Sequence, residues 1–403
     1  MEAIHPASLT FTDLPADYRA FFGQDAALFF SVPGRTELGG NHTDHQLGLV
    51  LAASIDRDSR AAAALSADGH VRVLSKGYPL VDIDIGDAGF TALRPEEKGS
   101  PAALVRGVLA ALSAYGPIKG FQAVITSDVL PGSGLSSSAS FEVLIAAMAN
   151  RFSGLGLSAG ELARAGQSAE NLYFGKPCGL MDQLACATGG AVLIDFQEPD
   201  APVVTPVPFD FSAGGHTLCL VNCGADHADL TEEYADVTRE LAAVCAVFGK
   251  QKLRQVPESD FLKRIRDVRA FAGDRAVTRA LHVYRENRRV PQMAAALKRN
   301  DFNAFLQLVT ASGRSSAEYL QNIIPTGQTR RQALMVTLAM MEETLNGKGA
   351  FRVHGGGFAG TAMAFVPDEE VPAFTAAMEN TLFPGACSLV RIRPEGIVIR
   401  PID

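Results

Sequence analysis

Two kinds of segment are missing from this chain of 403 residues: a membrane-spanning stretch and a secretory signal. No run of about 18 uninterrupted apolar residues occurs, and a membrane-spanning helix needs about that length. Residues 1–6 lack the basic segment and following apolar stretch of a signal peptide. These absences predict a soluble, cytoplasmic protein.

Long basic stretches and paired cysteines are also missing. The net charge is −8 and the isoelectric point is near 5.6, whereas a nucleic-acid surface needs clustered lysine and arginine. The short basic runs at 263–266 and 330–331 are typical of solvent-facing sides of amphipathic helices. The six cysteines have no CxxC spacing, which favours reduced, buried thiols over disulfides or a zinc site.

The balance of strand-like and helix-like segments changes along the chain. Short β-like runs separated by Gly, Asp and Pro fill residues 27–96, helical patterns dominate residues 229–341, and strand-like runs return after residue 350. This order favours an α+β fold over an alternating parallel sheet. The chain length suggests two domains, and the proline-rich stretch 199–208 predicts their link, with domains at 1–205 and 206–403.

A loop rich in glycine and serine lies between a strand-like and a helix-like segment. It reads Pro131-Gly132-Ser133-Gly134-Leu135-Ser136-Ser137-Ser138. Free amides in the first turn of a helix attract anions, and the hydroxyls at 136–138 can donate to phosphate oxygens or bind Mg²⁺. No lysine follows the glycines, so this is not a P-loop. The loop predicts a phosphate site; a serine-capped helix after a turn is the alternative.

A polar run is placed between two apolar, strand-like segments. It reads Pro33-Gly34-Arg35-Thr36-Glu37-Leu38-Gly39-Gly40-Asn41-His42-Thr43-Asp44-His45. Polar groups at such a place need partners, which a small polyhydroxylated ligand would supply. Two alternatives stay open: a metal held by His42, Asp44 and His45, as in a metal-dependent hydrolase, or a polar turn capped by its own Asn and Asp side chains.

Two further segments carry unusual residues. A predicted helix containing Glu170 ends at Gly175, and a turn then leads to Asp182 inside an apolar stretch. A carboxylate there is costly unless it is paired or functional, although it could simply cap a helix. Farther on, three consecutive glycines at 355–357 follow a strand-like run and allow another chain segment or a phosphate to approach closely.

In this order the four segments resemble the motifs of the GHMP family of small-molecule kinases, and within it the galactokinases. The resemblance rests on residues 33–44, 131–139, 177–183 and 355–360, and it extends from about residue 25 to the carboxyl terminus. It implies a two-domain α+β fold with the active site in the interdomain cleft. It also implies ATP-dependent phosphorylation of the anomeric C1 hydroxyl of galactose, which gives galactose 1-phosphate and ADP.

The resemblance assigns a role to each motif. Asp182 is expected to accept the proton of the C1 hydroxyl, and Arg35 to lie between Asp182 and the γ-phosphate of ATP, where it stabilises charge. Ser138 and Glu170 are expected to hold Mg²⁺. The phosphates are expected on the amides of Gly132, Ser133, Gly134, Leu135, Ser136, Ser137 and Ser138. The expected sugar ligands are Asn41, His42, Asp44, Gly179 and Tyr234.

Two positions depart from the galactokinase pattern. Asn41 stands where those kinases have a glutamate that contacts the sugar's C6 hydroxyl, and His45 stands where they have a tyrosine. A neutral amide both donates and accepts, so a sugar altered at C6 could also bind. A GHMP kinase for another galactose-like sugar, altered at C6 or C2, and a catalytically silent galactose sensor therefore stay open as alternatives.

Overall fold

Two β-sheets organise the chain in the computed structural model, which describes residues 9–129, 134–225 and 230–402. Among the described residues the larger sheet has eight strands: β1 (Leu28–Gly39), β2 (Leu49–Leu65), β3 (His70–Ser75), β4 (Val81–Asp84), β5 (Phe121–Ser127), β6 (Ala191–Asp195), β7 (Val203–Pro206) and β12 (Val398–Pro401). Its order is β12-β1-β2-β5-β3-β4, and β6 pairs with the first part of β2 and with β7. All pairs are antiparallel except β3 with β5.

Helices cover both faces of this sheet. On one face lie α2 (Pro101–Ser113), α3 (Ser137–Ser153), α4 (Ala159–Ser168) and α5 (Met181–Thr188), and on the other lies α1 (Leu14–Phe22). Alternate residues of β2 serve the two cores: Ala61 and Ala63 pack with the four helices, and Ala62 and Ala64 pack with α1. The alternation follows from the two-residue period of a strand.

The smaller sheet, β11-β8-β10-β9, is antiparallel throughout. Some of the remaining helices pack on its faces, and the others pack against one another. Its strands are β8 (His216–Asn222), β9 (Ala350–His354), β10 (Thr361–Pro367) and β11 (Cys387–Val390). The helices are α6 (Thr231–Ala246), α7 (Glu258–Lys263), α8 (Ile265–Ala272), α9 (Asp274–Lys298), α10 (Phe302–Ser315), α11 (Ala333–Leu345) and α12 (Val371–Thr381). The α+β prediction is confirmed.

Strand β1 runs farther than its sequence suggests. The polar run from residue 33 was expected between two strands, but the first strand continues through Pro33 and Gly34 to Gly39, with register irregularities between Pro33 and Arg35 and between Glu37 and Gly39. Proline is tolerated at such a bulge. A Cβ at position 34 would lie 2.8 Å from the carbonyl oxygen of Leu135, so glycine permits the close approach. The polar run is therefore largely a strand, and its bulge redirects Arg35.

Helix α9 is a single helix of 25 residues that continues through Pro291. An internal proline costs about 3 kcal/mol. The neighbouring Val290, Met293 and Leu297 are fully buried, however, and pack in the same apolar cluster as Phe305. This packing offsets the cost of the proline.

The chain does not divide simply between the two sheets. Strand β7 lies in the stretch expected to link two domains, and β12 returns from the carboxyl-terminal part to pair with β1. One apolar cluster also contains Leu38 and Leu51 of the larger sheet together with Leu220 and Phe365 of the smaller one. The boundary at residues 205/206 stays a prediction.

Two sequence expectations concern cysteines and membrane helices. All six cysteines are free, four of them buried, which agrees with the expectation of reduced thiols. None of the helices that the structure describes is both long and apolar enough to cross a bilayer.

Candidate active site

Arg35 and Asp182 form a doubly bonded ion pair. The bulge in β1 presents Arg35, and α5 carries Asp182 in its first turn. Arg35 Nε donates to Asp182 Oδ1 at 2.7 Å, and Nη2 donates to Oδ2 at 2.8 Å. Such a two-point contact fixes both side chains more firmly than a single hydrogen bond does. The carboxylate therefore does not cap α5, which was the structural alternative.

The surroundings of Asp182 favour its charged form. Burial alone would raise the pKa of Asp182, but the charge and hydrogen bonds of Arg35 and a hydrogen bond from the Ser136 hydroxyl outweigh burial. The pKa of Asp182 therefore lies below its usual value. The carboxylate is ionised at neutral pH and can accept a hydrogen bond from a substrate hydroxyl.

The predicted phosphate loop leads directly into α3. Arg35 Nη1 donates to the carbonyl oxygen of Gly134 at 2.5 Å, and the Arg35 amide donates to that of Leu135 at 3.2 Å. Ser136 adopts a left-handed φ of 62°, and Ser137 begins the helix. Positions Gly134 to Ser138 thus lie at a helix amino terminus beside the ion pair. The predicted ligands Gly132 and Ser133 lie outside the described residues.

Ser138 and Glu170 are brought together, as the magnesium prediction requires. Ser138 Oγ donates to Glu170 Oε1 at 3.0 Å, and Lys176 Nζ lies 3.3 Å from the same carboxylate oxygen. A carboxylate and a hydroxyl are hard oxygen donors, and Mg²⁺ typically takes one or two protein ligands and completes its shell with substrate phosphates and water. This donor set fits Mg²⁺.

A buried polar cluster lies behind Glu170. Gln183 Nε2 donates to Glu170 Oε2 at 3.1 Å and to Glu142 Oε2 at 3.0 Å. Burial, together with the charge of Glu170, raises the pKa of Glu142 to about 9. At neutral pH Glu142 is therefore a neutral acid.

A cavity of about 640 Å³ opens beside this pair. Its polar end contains Ser137, Ser138, Glu170 and Lys176, and its walls include the apolar side chains of Leu104, Phe141 and Phe174. Pockets for cofactors combine an apolar lining with a few placed polar groups. A second cavity of about 800 Å³, beside α1, contains none of the predicted site residues.

Asp44 and Gly179 meet near Asp182. A Cβ at position 179 would collide with the Asp44 carboxylate, so glycine makes room for it. Burial raises the pKa of Asp44, and the negative charge of Asp182 adds to the rise. The two carboxylates therefore share one region, where either could accept a hydrogen bond from a sugar hydroxyl.

Three predicted sugar ligands instead hold the glycine turn, Gly355 to Gly357. Asn41 Nδ2 donates to the carbonyl oxygen of Gly355 at 2.6 Å. His42 Nε2 lies 2.9 Å from that of Gly356. The Tyr234 hydroxyl donates to that of Gly357 at 3.0 Å. These side chains thus hold the glycine turn in place, and both ring nitrogens of His42 are taken, so neither is free for a sugar.

Asn41 in particular is fully used within the protein. It is 1% exposed, and its Nδ2 also donates to Glu37 Oε1 at 3.1 Å. Its Oδ1 accepts from Asn322 Nδ2 at 2.9 Å and from Ser316 Oγ at 3.4 Å. An amide has two donor hydrogens and two acceptor positions, and all four are taken. The contacts give no support to the prediction that Asn41 binds the sugar's C6 hydroxyl.

We expect Asn41→Asp to destabilise the fold by roughly 1–3 kcal/mol, because it removes two buried donors and sets a second carboxylate beside Glu37. The ratio of kcat/KM for galactose and its 6-deoxy analogue fucose should not change. Thermal unfolding and steady-state kinetics measure the two effects, and Asn303→Asp on the exposed side of α10 is the control. A changed ratio of kcat/KM with unchanged stability would support a contact between Asn41 and the sugar.

The histidines do not form a metal site. His42 Nδ1 and His45 Nε2 lie 3.2 Å apart and hydrogen-bond to each other, so they do not converge with Asp44 on a common point. Among the residues that the structure describes, no three His, Cys, Asp or Glu side chains are grouped to hold a metal ion. The hydrolase alternative has no support in this geometry.

Sequence reasoning missed the role of helix α9 in supporting residues 40–49, which carry Asn41, His42 and Asp44 and are called here the predicted sugar loop. Three side chains of α9 bond its main chain: His282 Nε2 to the Asn41 carbonyl oxygen at 2.9 Å, Glu286 Oε2 to the Gly40 amide at 3.0 Å, and Asn287 Oδ1 to the Leu49 amide at 2.9 Å. These partners lie more than 230 residues away in sequence. The spacing of His282, Glu286 and Asn287 in the sequence gave no signal that these side chains bind a distant loop.

Two family models match the segments that carry most of the candidate site residues. Residues 16–65 match the galactokinase galactose-binding signature, and residues 103–190 match the GHMP kinase N-terminal domain. A galactokinase of Actinobacillus pleuropneumoniae is 33% identical over 356 residues, which are 87% of this chain and 88% of that protein. A galactokinase of Streptomyces coelicolor is 32% identical over 372 residues, 90% of each chain.

Solved structures share the fold. The crystal structure of Lactococcus lactis galactokinase complexed with galactose superimposes with a TM-score of 0.80 and 24% identity, covering 97% of this chain and all of that one. A mevalonate kinase superimposes with a TM-score of 0.64 and 15% identity, covering 91% of this chain and 99% of that one.

Proposed function

The chain belongs to the galactokinase family of GHMP kinases, and on that premise we propose that it transfers the γ-phosphoryl group of ATP to the C1 hydroxyl of galactose. The products are galactose 1-phosphate and ADP. The single observation that carries the site assignment is the two-point contact between Arg35 and Asp182. This ion pair bonds to the loop at 134–138, and the charge of Asp182 acts on Asp44, which contacts Gly179.

Asp182 and Arg35 have complementary tasks in this reaction. Asp182 accepts a hydrogen bond from the C1 hydroxyl and orients its oxygen toward the γ-phosphorus, and it can take the proton as the bond forms. The new bond joins the C1 oxygen to the γ-phosphorus, and the bond from that phosphorus to the β,γ-bridging oxygen breaks. Arg35, held by Asp182 and Gly134, stabilises the negative charge on the transferring group.

The remaining groups bind and orient ATP. The apolar walls at Leu104, Phe141 and Phe174 suit the base and ribose, and the polar end at Ser137 and Ser138 suits the phosphates. Ser138 and Glu170 are the residues that would hold Mg²⁺. When bound, Mg²⁺ neutralises phosphate charge.

The magnesium assignment predicts a specific kinetic change. Glu170→Gln should raise the Mg²⁺ concentration for half-maximal activity by at least roughly tenfold, because a neutral amide is a poorer ligand for a hard cation. Activity titrated with Mg²⁺ at fixed ATP measures the shift. Glu161→Gln, in the exposed cap of α4, is the control. An unchanged Mg²⁺ dependence in Glu170→Gln would make Glu170 a structural carboxylate.

A sugar screen tests the proposed reaction itself. ADP release is followed with galactose, N-acetylgalactosamine, glucose, arabinose and fucose, and the phosphorylated product is identified by phosphorus NMR. We expect the highest kcat/KM with galactose and a C1 phosphate ester. A higher value with another sugar would indicate a kinase for that sugar. Galactose binding without any phosphorylated product would indicate the silent sensor.

A further inference from the structure

A line of hydrogen bonds runs through the predicted sugar loop to the glycine turn. Gln46 Nε2 lies 3.2 Å from His45 Nδ1, His45 Nε2 lies 3.2 Å from His42 Nδ1, and His42 Nε2 lies 2.9 Å from the Gly356 carbonyl oxygen. We call these four residues the histidine relay. Each ring uses both nitrogens, so neither histidine has a free one for a ligand.

The direction of every bond in the relay is fixed by its two ends. Gln46 Oε1 accepts from the backbone amide of Leu253 at 3.0 Å, so Gln46 Nε2 must donate to His45 Nδ1. His45 therefore carries its proton on Nε2 and donates to His42 Nδ1. His42 in turn carries its proton on Nε2, and the Gly356 carbonyl oxygen can only accept it. Gln46 at one end and Gly356 at the other both require that each ring carries its proton on Nε2.

The surroundings keep His45 neutral. Burial and the neighbouring His42 lower the pKa of His45 to about 3, and the ammonium group of Lys252, which donates to the His45 carbonyl oxygen at 2.8 Å, acts in the same direction. Asp44 is the adjacent carboxylate in the chain. A neutral ring carries one proton, so His45 can donate from Nε2 and accept at Nδ1 at the same time.

The glycine turn depends on such external bonds. Glycine has the least restricted backbone of any residue, and Gly355 and Gly357 both adopt left-handed φ angles, of 71° and 82°. At Gly356 the relay shares the carbonyl oxygen with Asn322 Nδ2, at 3.1 Å. Without His42 in its correct tautomer, that single donor would remain to hold Gly356.

We propose that His45 is a positioning residue for the predicted sugar site: it fixes the tautomer and orientation of His42 and, through His42, the glycine turn. The proposal rests on the proposed function, since it assigns the region around Asp44 and Gly179 to the sugar. The nucleotide groups Ser138 and Glu170 belong to other elements and make no contact with the relay. Loss of His45 should therefore weaken sugar binding and leave ATP binding unchanged.

Two substitutions separate this role from a packing role. His45→Phe keeps a ring of similar shape but cannot donate or accept, so the galactose KM should rise roughly tenfold, the effect of losing about 1.4 kcal/mol of binding. The ATP KM should stay within about twofold. His45→Gln can accept from Gln46 and donate to His42, and it should keep the galactose KM within about threefold of the parent value. His70→Phe, on strand β3, is the control.

Ring-nitrogen NMR gives a readout independent of catalysis. Long-range ¹H–¹⁵N spectra of the parent at pH 7 should show both His42 and His45 protonated at Nε2, and the His42 signal should lose that fixed pattern in His45→Phe. A parent His42 protonated at Nδ1, or a parent-like galactose KM in His45→Phe, would overturn the proposal. If the parent phosphorylates no sugar, the proposed function fails, whereas the spectra still decide the relay.

Discussion

Asp182→Asn is expected to lower the turnover of galactose phosphorylation by at least about 100-fold. The substitution keeps the size of the side chain but removes its negative charge and its capacity to take a proton. It also breaks the two-point contact with Arg35, because only one of the two terminal atoms of asparagine can accept. Initial rates at saturating galactose and ATP measure the effect.

The fold should survive this substitution with a modest, pH-dependent loss of stability. The pKa of Asp182 is lowered in the native state, so the group stabilises the fold above its unfolded pKa of about 3.9, and this contribution fades as the pH falls through the native pKa. The difference in melting temperature between parent and variant should therefore shrink below about pH 4.

The matched control for this prediction is Asp274→Asn. Asp274 also makes a two-point contact with an arginine, Arg269 Nε at 2.7 Å and Nη2 at 3.4 Å, but on the exposed surface where α8 meets α9, so the change removes an ion pair without touching Asp182. Turnover of the control should equal that of the parent. Turnover of Asp182→Asn within a few-fold of the parent would rule out a catalytic role for the carboxylate.

Arg35→Lys should lower turnover by roughly 100- to 1000-fold, the usual cost of losing a donor that stabilises charge in a transition state. Lysine keeps the charge but cannot reach two carboxylate oxygens and the Gly134 carbonyl oxygen at once. The Arg35 side chain is 8% exposed, so water cannot easily take over the lost contacts. Steady-state kinetics and thermal unfolding measure the two effects.

The companion variant Arg35→Met tests the electrostatic coupling. Burial raises the pKa of Asp182, and Arg35 is the main group that opposes the rise. Without that positive charge the pKa should increase, and the acid limb of the residual activity should move to higher pH. Arg269→Met, which breaks the exposed pair with Asp274, serves as the control. An acid limb at the parent position in Arg35→Met would mean that Asp182 does not govern the pH dependence.

Local patterns predicted the parts of the site that lie close together in the sequence. The serine run begins α3, and Asp182 lies in the first turn of α5, because turn residues and apolar periodicity act over a few positions. Strand β1 was harder to predict, since Pro33 and Gly34 are typical of a turn. Only the bulge and the approach of Leu135 explain why the strand continues there.

The role of Asn41 could not be predicted from the sequence for a different reason. A side chain's free hydrogen-bonding capacity depends on every neighbour in space, and the acceptor positions of Asn41 are filled by Ser316 and Asn322, which are 275 and 281 residues away. A motif comparison places position 41 in the sugar loop but does not give these partners. Its contacts depend on how α10 and the glycine turn pack against that loop.

Strand β1, which carries Arg35, can complete its pairing only after β12 at the carboxyl-terminal end of the chain has been synthesised. Residues Leu28 to Ser31, upstream of Arg35, bond to Val398 to Pro401. On the ribosome the amino-terminal segment therefore emerges with one edge unpaired, and it waits for nearly all of the described chain before its partner arrives. An exposed strand edge invites pairing with other chains. Residues 1–205 produced alone would keep that edge, so the two predicted halves are not independent units for expression.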